Sequence, residues 1–167
     1  MTQDTEKPMT PENDVPNEIE QPAADFVLQS IVDLVNTTGI EFGITLCVGG
    51  IVISGQLTSG KKFFEAIAND ALEASGPADQ DVVRRAFSDY LGNFGKQIYG
   101  QDQIEDQSDN EVVETVKQLP AYIHLRDAKF FHNSGNPIPT NHGLWWRGRI
   151  TVVDGFSFGA FGQQRHN

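Results

Sequence analysis

A glycine-rich stretch that ends in lysine is the pattern in this chain that comes nearest to chemistry. Residues 55–61 read G-Q-L-T-S-G-K, which matches the G-x-x-x-x-G-K sequence whose backbone amides and lysine bind nucleotide phosphates. The apolar run at residues 150–153 ends in Asp154, a residue type that binds magnesium in the same class of protein. One hypothesis is therefore a nucleotide-binding protein that uses the segment from Gly55 to Lys61 together with Asp154.

The surrounding sequence argues against nucleotide binding. Lys62 stands where a Ser or Thr hydroxyl should bind the magnesium ion. The pair Gly49-Gly50 joins two short apolar runs and predicts an antiparallel β-hairpin, whereas a phosphate loop follows a strand of a parallel sheet. The dipeptide Asp154-Gly155 also lies between two alternating runs and predicts a hairpin turn of its own. We therefore expect no nucleotide site and no cofactor.

The other residue types with catalytic potential are scattered along the chain. Cys47 is the single cysteine and lies in an apolar run without neighbouring cations that would stabilise a thiolate. The carboxylates are concentrated near the N-terminus and around residue 105, where water would keep their proton affinity ordinary. The sequence therefore predicts that the protein is not an enzyme. The histidines lack the spacing of zinc sites and are expected at the surface without a metal: His124, His132, His142 and His166.

Residues 145–149, W-W-R-G-R, form the one cluster that calls for a separate explanation. Strand alternation places Trp146 in the core and Trp145, Arg147 and Arg149 on the opposite face. One interpretation is a face covered by a helix, with both arginines paired to carboxylates. The other is an interaction surface, because Trp and Arg are enriched in binding hot spots and the two cations would favour an acidic partner or a second copy of the chain.

Charge and hydropathy limit the classes of partner. The chain has 12 Lys and Arg against 23 Asp and Glu, a net charge of −11, and such a surface repels phosphate backbones. Nucleic acid is therefore a disfavoured partner. No window approaches the ~18 apolar residues of a membrane-spanning helix, and the first residues do not resemble a signal peptide. We expect a cytoplasmic protein without membrane contact.

Composition divides the chain into three predicted regions. Residues 1–21 hold six acids, one lysine and three prolines, which is too little apolar area to offset the entropy of ordering, so we expect a disordered acidic arm. Residues 22–162 are predicted to form a single α+β domain with a helical insertion at about 60–119. Residues 163–167 are predicted to be a C-terminal tail.

Helical periodicity predicts three helices. The first runs from 22 to 36, is packed by most of its circumference and stops at Gly39. The second runs from 61 to 74 with Ser59 as its N-cap. The third runs from a cap at Asp79 to about Tyr99, and it has the most regular apolar spacing in the chain, carried by Val83, Phe87, Tyr90, Phe94 and Ile98.

Alternation of apolar and polar residues predicts five short strands. Two form the hairpin around Gly49-Gly50, the third covers 122–130 with a bulge near Asp127, and two more lie on either side of Asp154. Residues 100–111 and 133–143 are expected to be loops, with a short helix or strand at 112–119. The predicted fold is a small antiparallel barrel, or a strongly bent sheet, with an N-terminal helix and a helical insertion.

Three segments resemble the bacterial gas vesicle accessory proteins of the U type. They span residues 25–65, 122–131 and 146–159, and include I-T-L-C-V-G-G-I-V-I-S-G-Q-L, I-H-L and W-R-G-R-I-T-V-V-D-G-F. The resemblance implies a non-enzymatic cytoplasmic helper of gas vesicles, the protein-shelled flotation organelles. Such a helper acts in assembly or clustering, through contacts with shell proteins or other accessory proteins. No catalytic or ligand residue is carried over.

The order of elements is also similar to that of an Sm-like small barrel with two helices inserted. That resemblance implies barrel closure and ring assembly, since closure removes exposed strand edges. It also provides a second alternative function, a ring-forming nucleic-acid-binding module. The acidic charge argues against this alternative, because RNA-binding rings present a basic surface lined by aromatic residues.

Overall fold

The computed structural model describes residues 23–74, 76–100, 118–132 and 136–161. The predicted arm, the predicted tail and most of residues 100–119 lie outside these ranges. The described chain is α+β, with three α-helices, two short 3₁₀ helices at Ala78–Gln80 and Ile150–Val152, and one antiparallel sheet. In chain order the main elements are α1 (Phe26–Thr38), β1 (Phe42–Val48), β2 (Ile51–Thr58), α2 (Gly60–Glu73), α3 (Asp81–Tyr99), β3 (Tyr122–Phe131), β4 (Pro137–Ile138), β5 (Leu144–Arg149) and β6 (Gly155–Phe158).

The glycine hairpin is confirmed. Strands β1 and β2 pair antiparallel, with Val48 opposite Ile51. Gly49 and Gly50 have φ values of +56° and +79°, the left-handed backbone that the central residues of a type I′ turn require. The carboxylate of Asp154 accepts a hydrogen bond from the Gly49 amide at 2.6 Å. The segment before β6 is thereby attached to the hairpin turn.

The sheet has the order β4-β3-β2-β1-β6, and β5 pairs with β3 along the edge that β4 also uses. It has six strands, one more than predicted, because Pro137 and Ile138 pair with the end of β3 inside the expected loop. Among the described strands β5 pairs with β3 and β6 with β1, so the sheet is open and closure into an Sm-like barrel is not confirmed. The predicted Asp154-Gly155 hairpin turn is wrong, because a 3₁₀ helix carries the chain from β5 to β6 at the opposite edge.

The predicted bulge at Asp127 is confirmed. Gln56 pairs with Arg126, whereas Ser54 pairs with Lys129, so β3 contains one residue more than β2 between these pairs. Asp127 has φ +52°, a conformation that Asp tolerates better than most residues. The bulge bends β3 and changes which faces its side chains occupy on either side of it.

The main core lies between α1 and one face of the sheet. Asp25 caps α1, its side chain accepting from the Leu28 amide at 3.0 Å, and Gly39 ends it with φ +70°, as predicted. The prediction that α1 is packed by most of its circumference is wrong, because Phe26, Val27 and Leu34 are exposed. The buried core consists of Leu28, Val32, Val35, Ile44, Leu46, Ile53, Leu57, Ile123, Leu125, Ala128 and Ile150.

Helices α2 and α3 pack together across the other face of the sheet. The hydroxyl of Ser59 caps α2 as predicted, accepting from the Lys62 amide at 3.3 Å. Asp79 does not cap α3. It belongs to a 3₁₀ helix, and α3 begins at Asp81 after Gln80, whose side chain makes no capping bond. The two helices are in close contact at Gly95, where an added Cβ would lie 2.5 Å from the Phe64 Cβ.

Two glycines of α3 therefore form a matched pair for a test of this packing. We expect Gly95→Ala to lower the free energy of unfolding by about 1–3 kcal/mol, because the new methyl overlaps Phe64. Gly92→Ala should raise it by up to ~1 kcal/mol, since nothing lies within 4 Å of its added Cβ and Ala favours helix. Urea unfolding followed by circular dichroism measures both. Equal effects of the two substitutions would contradict the described α2–α3 packing.

Candidate functional site

The residues that match the phosphate-loop pattern do not form a phosphate cradle. Residues 55–58 are extended backbone inside β2, between β1 and β3. The amide of Gly60 donates to the Asn36 side-chain oxygen at 2.9 Å, and Ser59 takes the Lys62 amide as a helix cap. These amides are already bound within the protein, so they do not converge on an open anion site.

Lys61, the lysine of that pattern, is exposed, whereas the neighbouring Lys62 and the associated Asp154 are placed for structural contacts. Lys62 donates to the Gly39 carbonyl at 3.1 Å and lies 3.5 Å from the Glu41 carboxylate. Asp154 lies at the hairpin turn, whereas Gly60 follows the far end of β2, roughly 25 Å of strand away at ~3.3 Å per residue. The nucleotide-binding alternative is therefore not favoured.

Glu41, the residue before β1, is at the centre of a cluster of polar contacts. Its carboxylate accepts from the Thr58 hydroxyl at 2.6 Å and from Arg126 Nε at 3.2 Å. Burial opposes ionisation of this carboxyl, but the Thr58 hydrogen bond and the charges of Arg126 and Lys62 outweigh it and lower the pKa of Glu41. The ionised carboxylate links β2, β3 and α2 through Thr58, Arg126 and Lys62. These contacts stabilise the fold.

Arg147 lies at the centre of an aromatic cluster on the α2–α3 side of the sheet. Its guanidinium carbon is 3.4 Å from the centroid of the Tyr122 ring and 6.0 Å from that of Phe64. Its Nε donates to His124 Nε2 at 3.2 Å. The stacking and this hydrogen bond together fix the orientation of the guanidinium.

His124 is fully buried, so the prediction that it is a surface residue is wrong. The Phe63 and Tyr99 rings lie 4.8 and 5.4 Å from the imidazole. Burial, reinforced by the charge of Arg147, lowers the pKa of His124 to about 3. The ring is therefore neutral at physiological pH. Because Nε2 accepts from Arg147, the ring proton is on Nδ1, which has no hydrogen-bond partner in the described part of the chain.

The predicted interaction residues occupy the face that alternation assigned to them. Trp146 packs against the core, and Trp145 is half-buried with its ring centroid 6.1 Å from that of Phe63. Helix α2 thus covers part of this face, whereas Arg147 and Arg149 are exposed. The predicted pairing of the arginines with carboxylates is not observed: the ion pairs between described residues are Lys62–Glu41, Arg84–Asp81, Arg126–Glu41 and Arg126–Asp127.

A groove of about 1130 Å³ opens beside Arg147, between the end of α1, the start of α2 and the start of β3. Its lining includes the cations Lys61, Lys62 and Arg147 and the acids Asp33 and Glu65. Sequence reasoning missed the groove and the roles of Tyr122 and His124 beside it. Alternation in β3 was the available signal, because it puts both of these side chains on the face opposite Ile123 and Leu125.

The described residues thus define an α+β protein. The contacts of Glu41 and Asp154 stabilise its fold, and Arg147 lies beside a groove. No group of three or more His, Cys, Asp or Glu within the described ranges could hold a metal ion. None of the described helices is long and apolar enough to cross a membrane.

Comparison with known proteins identifies the family. A family model described as gas vesicle protein GvpU-like matches residues 25–161. The chain therefore belongs to the GvpU-like family of gas vesicle proteins, as the sequence motifs predicted, and is a gas vesicle-associated protein. No curated protein and no solved structure matches it.

Proposed function

We propose that the chain is a non-enzymatic, cytoplasmic accessory protein of gas vesicles that acts through protein contacts in their assembly or clustering. The observation that carries this proposal is the family match, which spans almost the whole described chain. The layout of the polar residues supports it, because Glu41, Lys62 and Asp154 are each engaged in contacts that stabilise the fold. The partners we propose are the shell proteins or other accessory proteins of the vesicle.

The surface proposed for these contacts is formed by Trp145, Arg147 and Arg149. The Arg147 guanidinium carbon lies 3.4 Å from the Tyr122 ring centroid, and its Nε lies 3.2 Å from His124 Nε2. Arg147 forms no ion pair with a carboxylate of the described residues. A cation whose orientation is fixed in advance loses little entropy when it binds a partner. Bidentate binding of a carboxylate is the chemistry that guanidinium favours.

An acidic segment of a partner therefore fits this surface better than a basic one. Lys61 lines the same groove and adds a second exposed cation, whereas the chain as a whole carries a net charge of −11. Long-range repulsion between an acidic partner and the rest of the protein would be screened at physiological salt, where the Debye length is about 8 Å. Contacts within the groove would be screened less, since they are partly buried.

The proposed role can be tested by deletion of the gene in cells that form gas vesicles. We expect deletion to change the number, size or clustering of vesicles in electron micrographs, and the wild-type gene to restore them. Arg147→Glu should fail to restore them, because it reverses the charge of the groove, and Arg147→Lys should restore them partially, because it keeps the charge but loses the planar fork. Arg85→Glu, on the exposed polar side of α3, is the matched control and should restore fully.

Two further measurements make this test decisive. The melting temperature of each purified variant shows whether Arg147→Glu is folded, since Arg147 also contacts Tyr122 and His124. Unchanged vesicles after deletion would contradict the accessory role. Full restoration by a folded Arg147→Glu variant would contradict the choice of surface and leave the accessory role intact.

A further inference from the structure

Helix α3 exposes the most regular apolar pattern of the chain. We call Val83, Phe87, Tyr90, Phe94 and Ile98 the α3 stripe. Val83, Phe87, Tyr90 and Ile98 are 67%, 54%, 63% and 50% exposed, and Phe94 is half-buried. The side of α3 that packs against α2 is centred on Ser88 and Gly95, which are buried. Phe94 lies at the border of the two sides, with its ring centroid 5.1 Å from that of Phe64 in α2.

The geometry of the helix separates the two sides. At 100° per residue the centre of the α3 stripe lies roughly 100° around the helix from the side that carries Ser88 and Gly95. Five apolar side chains follow one another along about 22 Å of helix axis. Scattered exposed hydrophobic residues need no explanation, but a continuous patch of this length is typical of an interaction surface.

Charge selects the kind of partner. The charged residues Arg85, Asp89 and Lys96 lie on the far side of the helix from the α3 stripe, at 100° per residue. The free flank of the stripe carries the uncharged Ala86, Asn93 and Gln97, and the other flank is the α2 contact. Arg84 lies beside the stripe on the α2 flank, but it is paired with Asp81. Neither a basic nor an acidic partner would therefore find an unpaired charge of α3 beside the stripe. The surface fits another uncharged apolar surface.

The α3 stripe is complementary to a second copy of itself. In an antiparallel pair of α3 helices with a two-fold axis between positions 90 and 91, Val83 lies opposite Ile98, and Phe87 lies opposite Phe94. The β-branched residues then meet at both ends, the phenylalanines meet inside them, and the two Tyr90 side chains flank the axis. Such self-pairing is what a two-fold symmetric interface requires.

The area is sufficient for a reversible dimer. Complete burial of an aromatic side chain removes 150–250 Å² from water, so the half-exposed stripe offers on the order of 400 Å² per copy. Two copies together bury on the order of 800 Å², which is below the ~1,000 Å² of stable specific interfaces and is typical of a weak, reversible contact. We propose that two copies of this chain associate through their α3 stripes in an antiparallel, two-fold symmetric contact. This inference does not rest on the gas vesicle role, because the purified chain alone tests it.

Sedimentation equilibrium of the full chain from about 1 to 200 μM tests the association. We expect a monomer–dimer equilibrium whose dissociation constant rises at least tenfold in Phe87→Glu. The matched control Arg85→Glu, on the polar side of the same helix, should leave the dissociation constant unchanged. Circular dichroism verifies that each variant is folded.

Cysteine crosslinking tests the antiparallel register independently of any loss of folding. In a Cys47→Ala background, Tyr90→Cys should form a disulfide dimer on mild oxidation, and a mixture of Val83→Cys and Ile98→Cys should crosslink better than either alone. Arg85→Cys should not crosslink. If residues 101–117 of the same chain or a different protein cover the stripe instead, the full chain will remain monomeric and the proposal is wrong. A dimer that Phe87→Glu does not weaken, or that lacks the 83–98 crosslink, also overturns it.

Discussion

Gly143→Ala is expected to lower the free energy of unfolding by about 3 kcal/mol, the largest effect that we predict for the addition of one methyl group. An added Cβ at this position would overlap the backbone carbonyl and Cα of Asp127. Because all three overlapping atoms belong to backbone, no side-chain rotation can relieve the overlap. Asp127 cannot move easily either, since it is the bulged residue of β3 with φ +52°.

Gly155→Ala is the control for this prediction. Nothing lies within 4 Å of an added Cβ at Gly155, which also begins a short strand, so we expect a change within about 1 kcal/mol. Chemical denaturation of the two variants and the wild type gives the comparison. If Gly143→Ala unfolds at the same urea concentration as the wild type, the loop before β5 does not lie against the bulge as described.

Acidification is expected to destabilise the fold through His124. The pKa of His124 is about 3 in the folded protein and near 6.5 when the ring is exposed by unfolding. Below pH 6.5 His124 therefore binds a proton in the unfolded chain but not in the folded chain. As a result, the free energy of unfolding falls as the pH falls from 6.5 toward 3. The loss approaches ~1.4 kcal/mol per pH unit, or about 2 kcal/mol between pH 7 and pH 5.

Carboxylates also contribute to acid stability, so the test compares slopes between variants. His124→Gln keeps a side-chain oxygen that can accept from Arg147 but cannot titrate, and its pH dependence between 7 and 5 should be about 2 kcal/mol smaller than that of the wild type. His142→Gln, at an exposed position, should keep the wild-type slope. A wild-type slope in His124→Gln would show that the buried imidazole is not the group responsible.

Features set by local backbone chemistry could be predicted from the sequence. Gly49-Gly50 predicted a tight reversal because both residues tolerate positive φ. The one-residue shift in alternation around Asp127 predicted the bulge, and Ser59 predicted the start of α2. Each of these signals depends on residues within a few positions of the feature. The family motifs lie in the same strands and turns.

Features set by distant pairing could not be predicted in the same way. The alternation around Asp154 indicates two strands but not their partners, and these partners, β3 and β1, lie at separate places in the sheet. The two residues of β4 are too few for a periodic signal. Periodicity predicted that α3 is a helix, but it did not predict that Ser88 and Gly95, and not Phe87 and Tyr90, would be the residues buried.

The Arg147 cluster was predictable in part. Alternation correctly separated Trp146 from Trp145 and Arg147, but β5 alone does not show what lies beside them. Tyr122 and His124 come from β3, and Tyr99 comes from α3. The pairing of Arg147 with a buried neutral histidine, in place of the expected carboxylate, is a consequence of that packing.

Flotation of purified gas vesicles with the bound protein tests the central claim most directly. Vesicles rise under centrifugation, so a protein that binds them is recovered in the floating layer. We expect the wild-type chain to float with vesicles and Arg147→Glu to bind about tenfold more weakly, a difference of ~1.4 kcal/mol. Recovery of the wild-type chain only in the liquid below the vesicles, or equal flotation of the two forms, would contradict the account.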